Sequence, residues 1–431
     1  MPFVRDALTV FFRAVTGVFF REVEVAFAPP EETRARLFAA NHVNGIVDPV
    51  VVLTQAPFPI APVAKSTLWK IPVFRSLLDA VGAVPVVRKK DDPGKVAGGN
   101  DDVFDKVAAH FARGGNVLIF PEGVSHSEPH LVPLKTGPAR MLARAREQGT
   151  RGLTFQAVAL EFDARESFRS RVLLVFGPVR EVDALELAGE PLVQRITDLL
   201  REDLSELVVE GATWEERTLV ARVAELLAHD GGDRSLAQWN AIGRQVEAAR
   251  KAVDDHRVEA LREKVDAYYA LLARSGVKDD HVVAAVPPRK GRPLRALGLV
   301  LLAPLALVGA VSFYLPYQLP KLAVRLAGSE RDVVSTYKLG IGLVAFPLWL
   351  AALLVTATLV LPSPHRFVAI PVLLLAPLAA LLFLDRLDPV RAQWATTPAG
   401  SSLGGARLEE LRGARKQATD AIAALRTELG L

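Results

Sequence analysis

A histidine and an aspartate stand six positions apart in the segment NHVNGIVDP, which covers residues 41–49. The Asn44-Gly45 pair between them favours a turn that would return Asp48 to the imidazole ring of His42. An aspartate bonded to one ring nitrogen fixes the histidine tautomer and leaves the other nitrogen basic, which suits proton abstraction. A His–Asp pair beside a turn is also a common structural contact, and the sequence leaves both interpretations open.

A second polar loop follows about 80 residues later, where FPEGVSH covers residues 120–126 directly after the apolar run NVLI. A Pro-Glu-Gly turn after such a run is typical of a loop at the end of a buried strand. The loop carries Glu122, Ser125 and His126. These side chains suit contacts with a polar substrate, and they suit loop packing about equally well.

Basic residues at strand and helix ends offer anchors for an anion. The segment VGAVPVVRKK, residues 81–90, reads as a strand that ends in Arg88, whose planar guanidinium group matches phosphate oxygens. Lys65 and Lys135 add cations at the starts of other loops or helices. The alternative interpretation of residues 88–90 is an exposed basic cluster that binds nothing.

The elements that would position these residues alternate between strands and helices from about residue 35 to residue 180. The strand candidates are Arg36–Ala40, Ala83–Val87, Asn116–Phe120, Thr154–Phe162 and Arg171–Phe176. The clearest helix candidates between them are Asp101–Ala112 and Gly137–Arg146. This alternation predicts an α/β domain with a largely buried sheet.

Composition narrows the class of protein further. A chain of 431 residues exceeds one ordinary domain, and a formal net charge of +4 is too small to predict a nucleic-acid-binding protein. The absence of cysteine excludes disulfides, thiolate metal sites and cysteine nucleophiles. A positive mean hydropathy beside 23% charged residues predicts a polar globular part joined to a strongly apolar part.

The apolar part consists of three charge-free runs at residues 296–320, 339–364 and 367–384. A membrane-spanning helix needs about 20 apolar residues, so the first two runs are long enough and the third is marginal. We therefore predict an integral membrane protein. Basic residues flank the first run on both sides, so the number and orientation of spans stay open, and a re-entrant or interfacial first segment fits Pro304 and residues 315–320.

The N-terminal segment LTVFFRAVTGVFF interrupts its apolar runs with arginines and is too short to span a bilayer. An interfacial helix and a core helix of the globular domain are the two interpretations. Beyond about residue 190 the strand signals stop. Helical spacing then covers Glu215–His229 and Ile242–Ala273. Residues 247–276 read as one long amphipathic helix that ends at Gly276.

The segments around His42, Arg88 and Glu122, in their order along the chain, resemble the motifs of the glycerolipid acyltransferases. These enzymes move fatty acyl groups onto glycerol phosphate or lysophosphatidate. The resemblance covers about residues 35–180. Its first motif matches Asn41, His42 and Asp48, its second matches residues 82–88, and its third, Phe-Pro-Glu-Gly, matches residues 120–123 in full. The fourth, an apolar strand, has residues 156–160 as its candidate.

This sequence departs from the common family pattern in three places. Five residues rather than four separate His42 from Asp48, so the Asn44-Gly45 turn must take up the extra residue. The third motif continues Val-Ser-His where the family usually has Thr-Arg-Ser, and the fourth lacks its usual proline. The spacing and the Pro-Glu-Gly-x-Ser-His loop resemble a branch that includes membrane glycerol-3-phosphate and dihydroxyacetone-phosphate acyltransferases.

The resemblance implies an α/β acyltransferase domain with a mixed sheet flanked by helices, followed by a helical region and a C-terminal α-helical transmembrane region. With the composition, it divides the chain into five parts: an interfacial N-terminal helix (1–30), the acyltransferase domain (31–185), the helical region (186–285), two to three transmembrane helices (290–388), and a linker with a C-terminal helix (389–431).

The resemblance also implies His42 and Asp48 as the catalytic pair. The substrate-binding residues that it implies, together with the basic residues noted above, are Asn41, Lys65, Arg88, Glu122, Gly123, Ser125, His126 and Lys135. The expected activity is acyl transfer from acyl-CoA or acyl carrier protein to glycerol 3-phosphate or dihydroxyacetone phosphate, in phospholipid biosynthesis. No metal or other cofactor is expected.

The expected partners are membrane lipids, the acyl donor and the glycerol phosphate acceptor, with no nucleic acid. The expected location is the membrane, with the catalytic domain on the cytoplasmic face. Two alternatives stay open. One is a lysophosphatidate (1-acylglycerol-3-phosphate) acyltransferase with the same residues, and the other is a non-catalytic lipid-binding scaffold.

Overall fold

The computed structural model describes residues 2–27, 35–87, 101–283, 292–328, 330–395 and 405–430. The chain divides into two compact units. The first contains residues 1–213 together with Glu330–Thr336, and the second contains residues 214–329 and 337–431. The predicted linker residues 397–402 and the basic residues Arg289 and Lys290 lie outside the described residues.

The first unit is built on a seven-stranded mixed sheet. Its strands are β1 (Phe20–Ala26), β2 (Arg36–Ala40), β3 (Ile60–Lys65), β4 (Val84–Val86), β5 (Asn116–Ile119), β6 (Thr154–Phe162) and β7 (Ser170–Glu181). Their order across the sheet is β1-β7-β6-β2-β5-β3-β4. The β6–β7 pair is antiparallel and every other neighbouring pair is parallel. The predicted mixed sheet with flanking helices is therefore confirmed.

In the part of this unit that the structure describes, the α-helices are α1 (Pro2–Phe19), α2 (Val47–Gln55), α3 (Pro72–Val81), α4 (Asp101–Ala112), α5 (Gly137–Glu147) and α6 (Gly189–Leu207). Every residue of β2 is buried, as expected for a central strand with both faces covered. On one face, Leu37 and Phe155 pack in a cluster with Phe111 of α4, Leu142 of α5 and Ile196 of α6. This core holds the central parallel strands in fixed register.

Two predicted boundaries differ from the structure. Residues 1–30 were expected to form one interfacial helix, but the helix ends at Phe19 and β1 follows it. The segment FREVEVA alternates apolar and charged residues, which suits an edge strand, and it pairs in parallel with β7. The first unit also extends to residue 213, beyond the expected end at 185, because α6 packs on the sheet core.

The second unit is helical. Its helices in the described residues are α7 (Trp214–Asp230), α8 (Leu236–Arg250), α9 (Asp255–Ser275), α10 (Asp279–Val283), α11 (Arg292–Ser312), α12 (Tyr314–Ala327), α13 (Val334–Val360), α14 (Ser363–Ala395) and α15 (Gly405–Leu429). The helix α13 starts with three residues that belong to the first unit. The single helix expected over residues 247–276 is wrong, because the extended backbone of Asp254 separates α8 from α9, whereas the expected end at Gly276 is present.

A buried carboxylate joins four helices of this unit. Asp279 accepts hydrogen bonds from Tyr268 (2.6 Å) and Arg415 (2.8 Å), and its other oxygen lies 2.7 Å from His229 Nδ1. Burial alone would raise the pKa of Asp279, but the hydrogen bonds from His229, Arg415 and Tyr268 outweigh burial and hold this pKa below its usual value. The ionised carboxylate therefore stabilises the helical packing.

We expect Asp279→Asn to lower the free energy of unfolding by about 3 kcal/mol at neutral pH, because Arg415 loses its buried counter-charge. The depressed pKa means that the ionised group contributes fully above the ordinary aspartate pKa of about 4, and that this contribution is lost as the pH falls through the folded-state value. Urea unfolding of both proteins in detergent should give a difference that is constant near neutrality and shrinks below about pH 4. A difference that grows on acidification would contradict this role.

Among the described residues, two helices are long and apolar enough to cross a membrane: residues 334–360 of α13 and residues 363–387 of α14. The pair α11–α12 passes the same test together but bends by 49°, as a broken span or a re-entrant loop would. A Cβ atom at Gly309 of α11 would collide with the carbonyl oxygen of Ala376 of α14, so this glycine allows close packing of the two helices. The predicted two to three spans agree with these lengths.

Candidate active site

The central strands place three of the predicted residues, His42, Glu122 and Lys65, along one edge of the sheet. Because β2, β5, β3 and β4 are parallel neighbours, their carboxyl ends meet at the same edge. His42 follows β2, Glu122 follows β5, and Lys65 is the last residue of β3. Arg88 comes two residues after β4 and lies outside the described residues.

The turn after β2 brings Asp48 to the ring of His42. Gly45 takes a left-handed conformation with φ of +52°, and the Val47 amide donates to the Asn44 carbonyl at 3.1 Å. Asp48, at the start of α2, then lies with Oδ2 2.9 Å from His42 Nδ1. The extra residue in this motif is therefore taken up by the turn, as the sequence requires.

The carboxylate of Asp48 is fully buried, with 0% of its side chain exposed. Its Oδ2 atom also accepts hydrogen bonds from the amides of Val43 (2.8 Å) and Asn44 (2.7 Å). Three N–H groups thus converge on one oxygen and offset part of the cost of burying the charge, while Oδ1 has no hydrogen-bond partner among the described residues. This arrangement fixes Asp48 as an acceptor and makes His42 carry its proton on Nδ1.

The imidazole of His42 is held on a second side by the third motif. Its ring stacks on Phe120 with 4.1 Å between the ring centroids, and 15% of its side chain is exposed. Among the residues that the structure describes, no hydrogen bond reaches Nε2. The ring therefore presents a basic nitrogen whose lone pair is available to a substrate.

Glu122 bridges the two motif loops. Its Oε2 atom accepts the backbone amide of His42 at 2.6 Å, and its Oε1 atom lies 2.8 Å from Nε2 of His126. The other ring nitrogen of His126 accepts the Glu128 amide at 3.1 Å, so the proton of His126 is on Nε2 and is donated to Glu122. The His126 amide also donates to the carbonyl of His42 at 3.1 Å.

Other predicted substrate-binding residues have partners within the protein. The side chain of Asn41 donates to the Leu160 carbonyl at 3.1 Å and accepts the Leu160 amide at 2.7 Å, which extends the β2–β6 pairing. Ser125 donates its hydroxyl proton to the carboxylate of Asp332. The proposed contacts of these residues with a substrate stay predictions.

Gly123 and Lys135 lie together beside the third motif. Gly123 has φ of +79°, and a Cβ atom there would lie 3.5 Å from Cγ of Lys135. The Lys135 amide donates to the Pro121 carbonyl at 2.7 Å, so the exposed side chain of Lys135 runs past the Pro-Glu-Gly turn. This places a cation next to the loop that carries Glu122.

Sequence reasoning missed two residues of this site. Arg165 donates to the carbonyls of Val43 (3.1 Å) and His126 (3.5 Å), and so ties both motif loops to the loop after β6. Asp332 reaches Ser125 from a segment more than 200 positions away along the chain. Arg165 is one charge in a polar loop, and Asp332 lies between two apolar runs, so neither carries a local signal of its contacts.

We expect Glu122→Gln to lower the free energy of unfolding by about 1–3 kcal/mol and acyl transfer by about tenfold. In one orientation the NH₂ group of the new glutamine faces the backbone N–H of His42, and in the other it faces Nε2–H of His126. Two donors then face each other, and one hydrogen bond is lost. Changing the His126 tautomer would instead set Nδ1–H against the Glu128 amide. Urea unfolding and initial rates test this, with the exposed Glu128→Gln as the matched control. Wild-type stability in Glu122→Gln would contradict the bridging role.

The comparisons with known proteins concern the same part of the chain. The family model described as Acyltransferase matches residues 24–161, the stretch that carries β2, β5 and both motif loops. This part of the chain belongs to the acyltransferase family.

Within the described residues, no group of three or more histidine, aspartate or glutamate side chains has the geometry to hold a metal ion.

Three relatives illustrate the similarity. Glycerol-3-phosphate O-acyltransferase 2 of Saccharomyces cerevisiae is 27% identical over 58% of this chain and 37% of its own length. Glycerol-3-phosphate O-acyltransferase 1 of the same yeast is 24% identical over 57% of this chain and 36% of its own length. An uncharacterized acyltransferase of Schizosaccharomyces pombe is 27% identical over 57% of this chain and 40% of its own length. The matched region thus spans well under half of each relative.

A solved structure is also similar. The crystal structure of the 1-acyl-sn-glycerophosphate (LPA) acyltransferase PlsC from Thermotoga maritima matches with a TM-score of 0.35 and 16% sequence identity. The match covers 47% of this chain and 78% of that one.

Proposed function

We propose that this protein transfers a fatty acyl group from acyl-CoA, or from acyl carrier protein, to a hydroxyl group of glycerol 3-phosphate or dihydroxyacetone phosphate. One observation carries the proposal. In a domain of the acyltransferase family, His42 has Nδ1 2.9 Å from a buried carboxylate and its Nε2 lone pair available at the carboxyl edge of the sheet. This is the arrangement that a general base for a hydroxyl group requires.

The reaction follows from that pair. Nε2 of His42 takes the proton of the acceptor hydroxyl while the hydroxyl oxygen attacks the thioester carbonyl. A carbon–oxygen bond forms, the carbon–sulfur bond breaks, and the leaving thiolate receives the proton from His42. Asp48 stabilises the imidazolium that exists between these two proton transfers. Neither bond change requires a metal or a redox cofactor, so we propose that the protein uses none.

We assign the acceptor phosphate to the basic residues around this edge. Lys65 ends β3, and Lys135 lies beside Gly123. Arg88 follows β4, the next strand beyond β3, which is why we include it although it lies outside the described residues. The hydroxyl proton of Ser125 and the Nε2 proton of His126 are donated to carboxylates of the protein. We assign the phosphate to the cations because their charge attracts it.

The apolar helices suit the substrates of this reaction. A long acyl chain and an acylated glycerol phosphate both partition into bilayers, at about 0.8 kcal/mol per buried methylene group. Two helices of this chain are long and apolar enough to cross a membrane. We propose that the catalytic unit works at the cytoplasmic surface, where soluble glycerol phosphates and thioesters are available.

The test is acyl transfer by the full chain, purified in detergent, from labelled palmitoyl-CoA or palmitoyl-acyl carrier protein. Glycerol 3-phosphate, dihydroxyacetone phosphate and lysophosphatidate serve in turn as acceptors. We expect product with glycerol 3-phosphate or dihydroxyacetone phosphate. Product only with lysophosphatidate would overturn the proposed acceptor, and no product with any pair of substrates would overturn the proposed activity.

A further inference from the structure

The segment Glu330–Thr336 belongs to the catalytic unit although it lies far outside the residues matched by the family model. It joins α12 to α13 and provides the first three residues of α13. Asp332 is 3% exposed and Ser335 is 0% exposed, so polar side chains of this segment are buried. We refer to residues 330–336 as the insert segment.

The insert segment contacts the third motif through Asp332. The carboxylate of Asp332 accepts the hydroxyl proton of Ser125. A serine has a single hydroxyl proton, so this bond fixes the rotamer of Ser125 and leaves only its lone pairs to other groups. Burying a carboxylate costs free energy, and a hydrogen bond to the carboxylate offsets part of that cost. Asp332 is buried, so its bond to Ser125 favours this one arrangement of the loop.

The insert segment contacts the first motif through Thr336. Its Oγ1 atom accepts the amide of Ile46 at 3.0 Å. A Cβ atom at Gly45 would lie 2.5 Å from this oxygen and 3.1 Å from the carbonyl oxygen of Asp332. Only glycine fits there, because both the space and the positive φ exclude a side chain. This is the turn that carries Asp48 back to His42.

A third contact closes the network. Ser335 donates its hydroxyl to the Arg165 carbonyl at 2.5 Å, and the side chain of Asn44 donates to the same carbonyl at 3.3 Å. The side chain of Arg165 in turn donates to the carbonyls of Val43 and His126. The insert segment thus holds both motif loops through separate side chains.

We propose that the insert segment completes the acyl-transfer site, with Thr336 and Asp332 as positioning residues for the His42–Asp48 turn and the Glu122–His126 loop. This inference rests on the proposed function. Neither residue touches the reacting atoms, and each acts through a hydrogen bond to a motif loop. The last three residues of the insert segment begin α13, which is itself a candidate membrane span.

The test compares Thr336→Val, which removes the acceptor and keeps the shape, with Thr336→Ser, which restores the oxygen. Thr356→Val is the matched control, because the Thr356 hydroxyl bonds only within its own helix, to Ala352, and is exposed. We expect Thr336→Val to lower kcat about tenfold with both KM values within about twofold, as small misplacements of catalytic groups do. Thr336→Ser and Thr356→Val should keep kcat near the wild-type value.

Asp332→Ala, which removes the acceptor of the Ser125 hydroxyl, tests the second contact, with the exposed Asp420→Ala as its control. We expect lower kcat in Asp332→Ala, and no further loss when Ser125→Ala is added, because both changes remove the same bond. Adding Thr336→Val to His42→Ala should leave the residual rate unchanged, since Thr336 acts through His42. Urea unfolding confirms that each variant is folded.

Three results would overturn the proposal. The first is kcat within twofold of wild type in both Thr336→Val and Asp332→Ala. The second is an equal loss from Thr336→Val with and without His42, which would show an effect on the fold alone. The third is a wild-type protein inactive toward all three acceptors, which overturns the proposed function as well and is thereby distinguishable from the other two.

Discussion

His42→Ala should lower kcat for acyl transfer by about 10²–10⁴ and leave the fold intact. A positioned general base contributes about this factor, and alanine removes the nitrogen that takes the proton. Without the ring, Asp48 still accepts hydrogen bonds from the amides of Val43 and Asn44, so the turn over residues 43–48 retains most of its hydrogen bonds. KM for both substrates should change little, because the ring contributes to the transition state rather than to ground-state binding.

The measurement is a full rate analysis of purified His42→Ala beside the wild type, with urea unfolding of both proteins. His256→Ala, which removes an exposed histidine of the helical unit, is the matched control and should have wild-type kinetics. Retention of more than a tenth of the wild-type kcat by His42→Ala would contradict the assignment of the base.

Asp48→Asn should lower kcat by a similar factor, about 10²–10⁴. The amide oxygen of asparagine can replace Oδ2 and still accept from the Val43 and Asn44 amides. In that position it can still accept Nδ1–H of His42, but it carries no charge, so the imidazolium of His42 loses its counter-ion. The effect should therefore fall on kcat far more than on stability.

Asp48→Ala provides the contrast. It should lower activity as far as Asp48→Asn and also lower the free energy of unfolding by about 1–3 kcal/mol, because buried backbone N–H groups lose their acceptor. Asp420→Asn, at an exposed site in α15, is the control for the loss of one carboxylate charge. Wild-type kcat in Asp48→Asn would show that the contact with His42 is structural only.

Much of the sheet could be predicted from the sequence, because central parallel strands are short apolar runs and polar loops follow them. The bounds of β2, β6 and α4 agree with the sequence analysis to the residue. The strand β3 (IAPVAK) was missed because proline and lysine interrupt its apolar pattern. It forms because Pro62 pairs beside Leu118 of β5, a contact that local sequence does not report.

The candidate site was predictable to the same extent. The His42–Asp48 contact depends on one turn. A turn is local in sequence, so its residue types predict it. The bridge from Glu122 to the His42 amide spans 80 residues and exists because β2 and β5 are neighbours in the sheet. The contact between Asp332 and Ser125 depends on where a distant segment packs, and no spacing rule encodes it.

The central claim is that His42 and Asp48 act as one catalytic unit, and a double-mutant cycle tests it most directly. Acyl transfer to glycerol 3-phosphate or dihydroxyacetone phosphate is measured for the wild type, His42→Ala, Asp48→Asn and the double variant. If the two residues act together, the double variant should be no slower than His42→Ala alone. Fully additive losses, or a double variant with wild-type kcat, would contradict the claim.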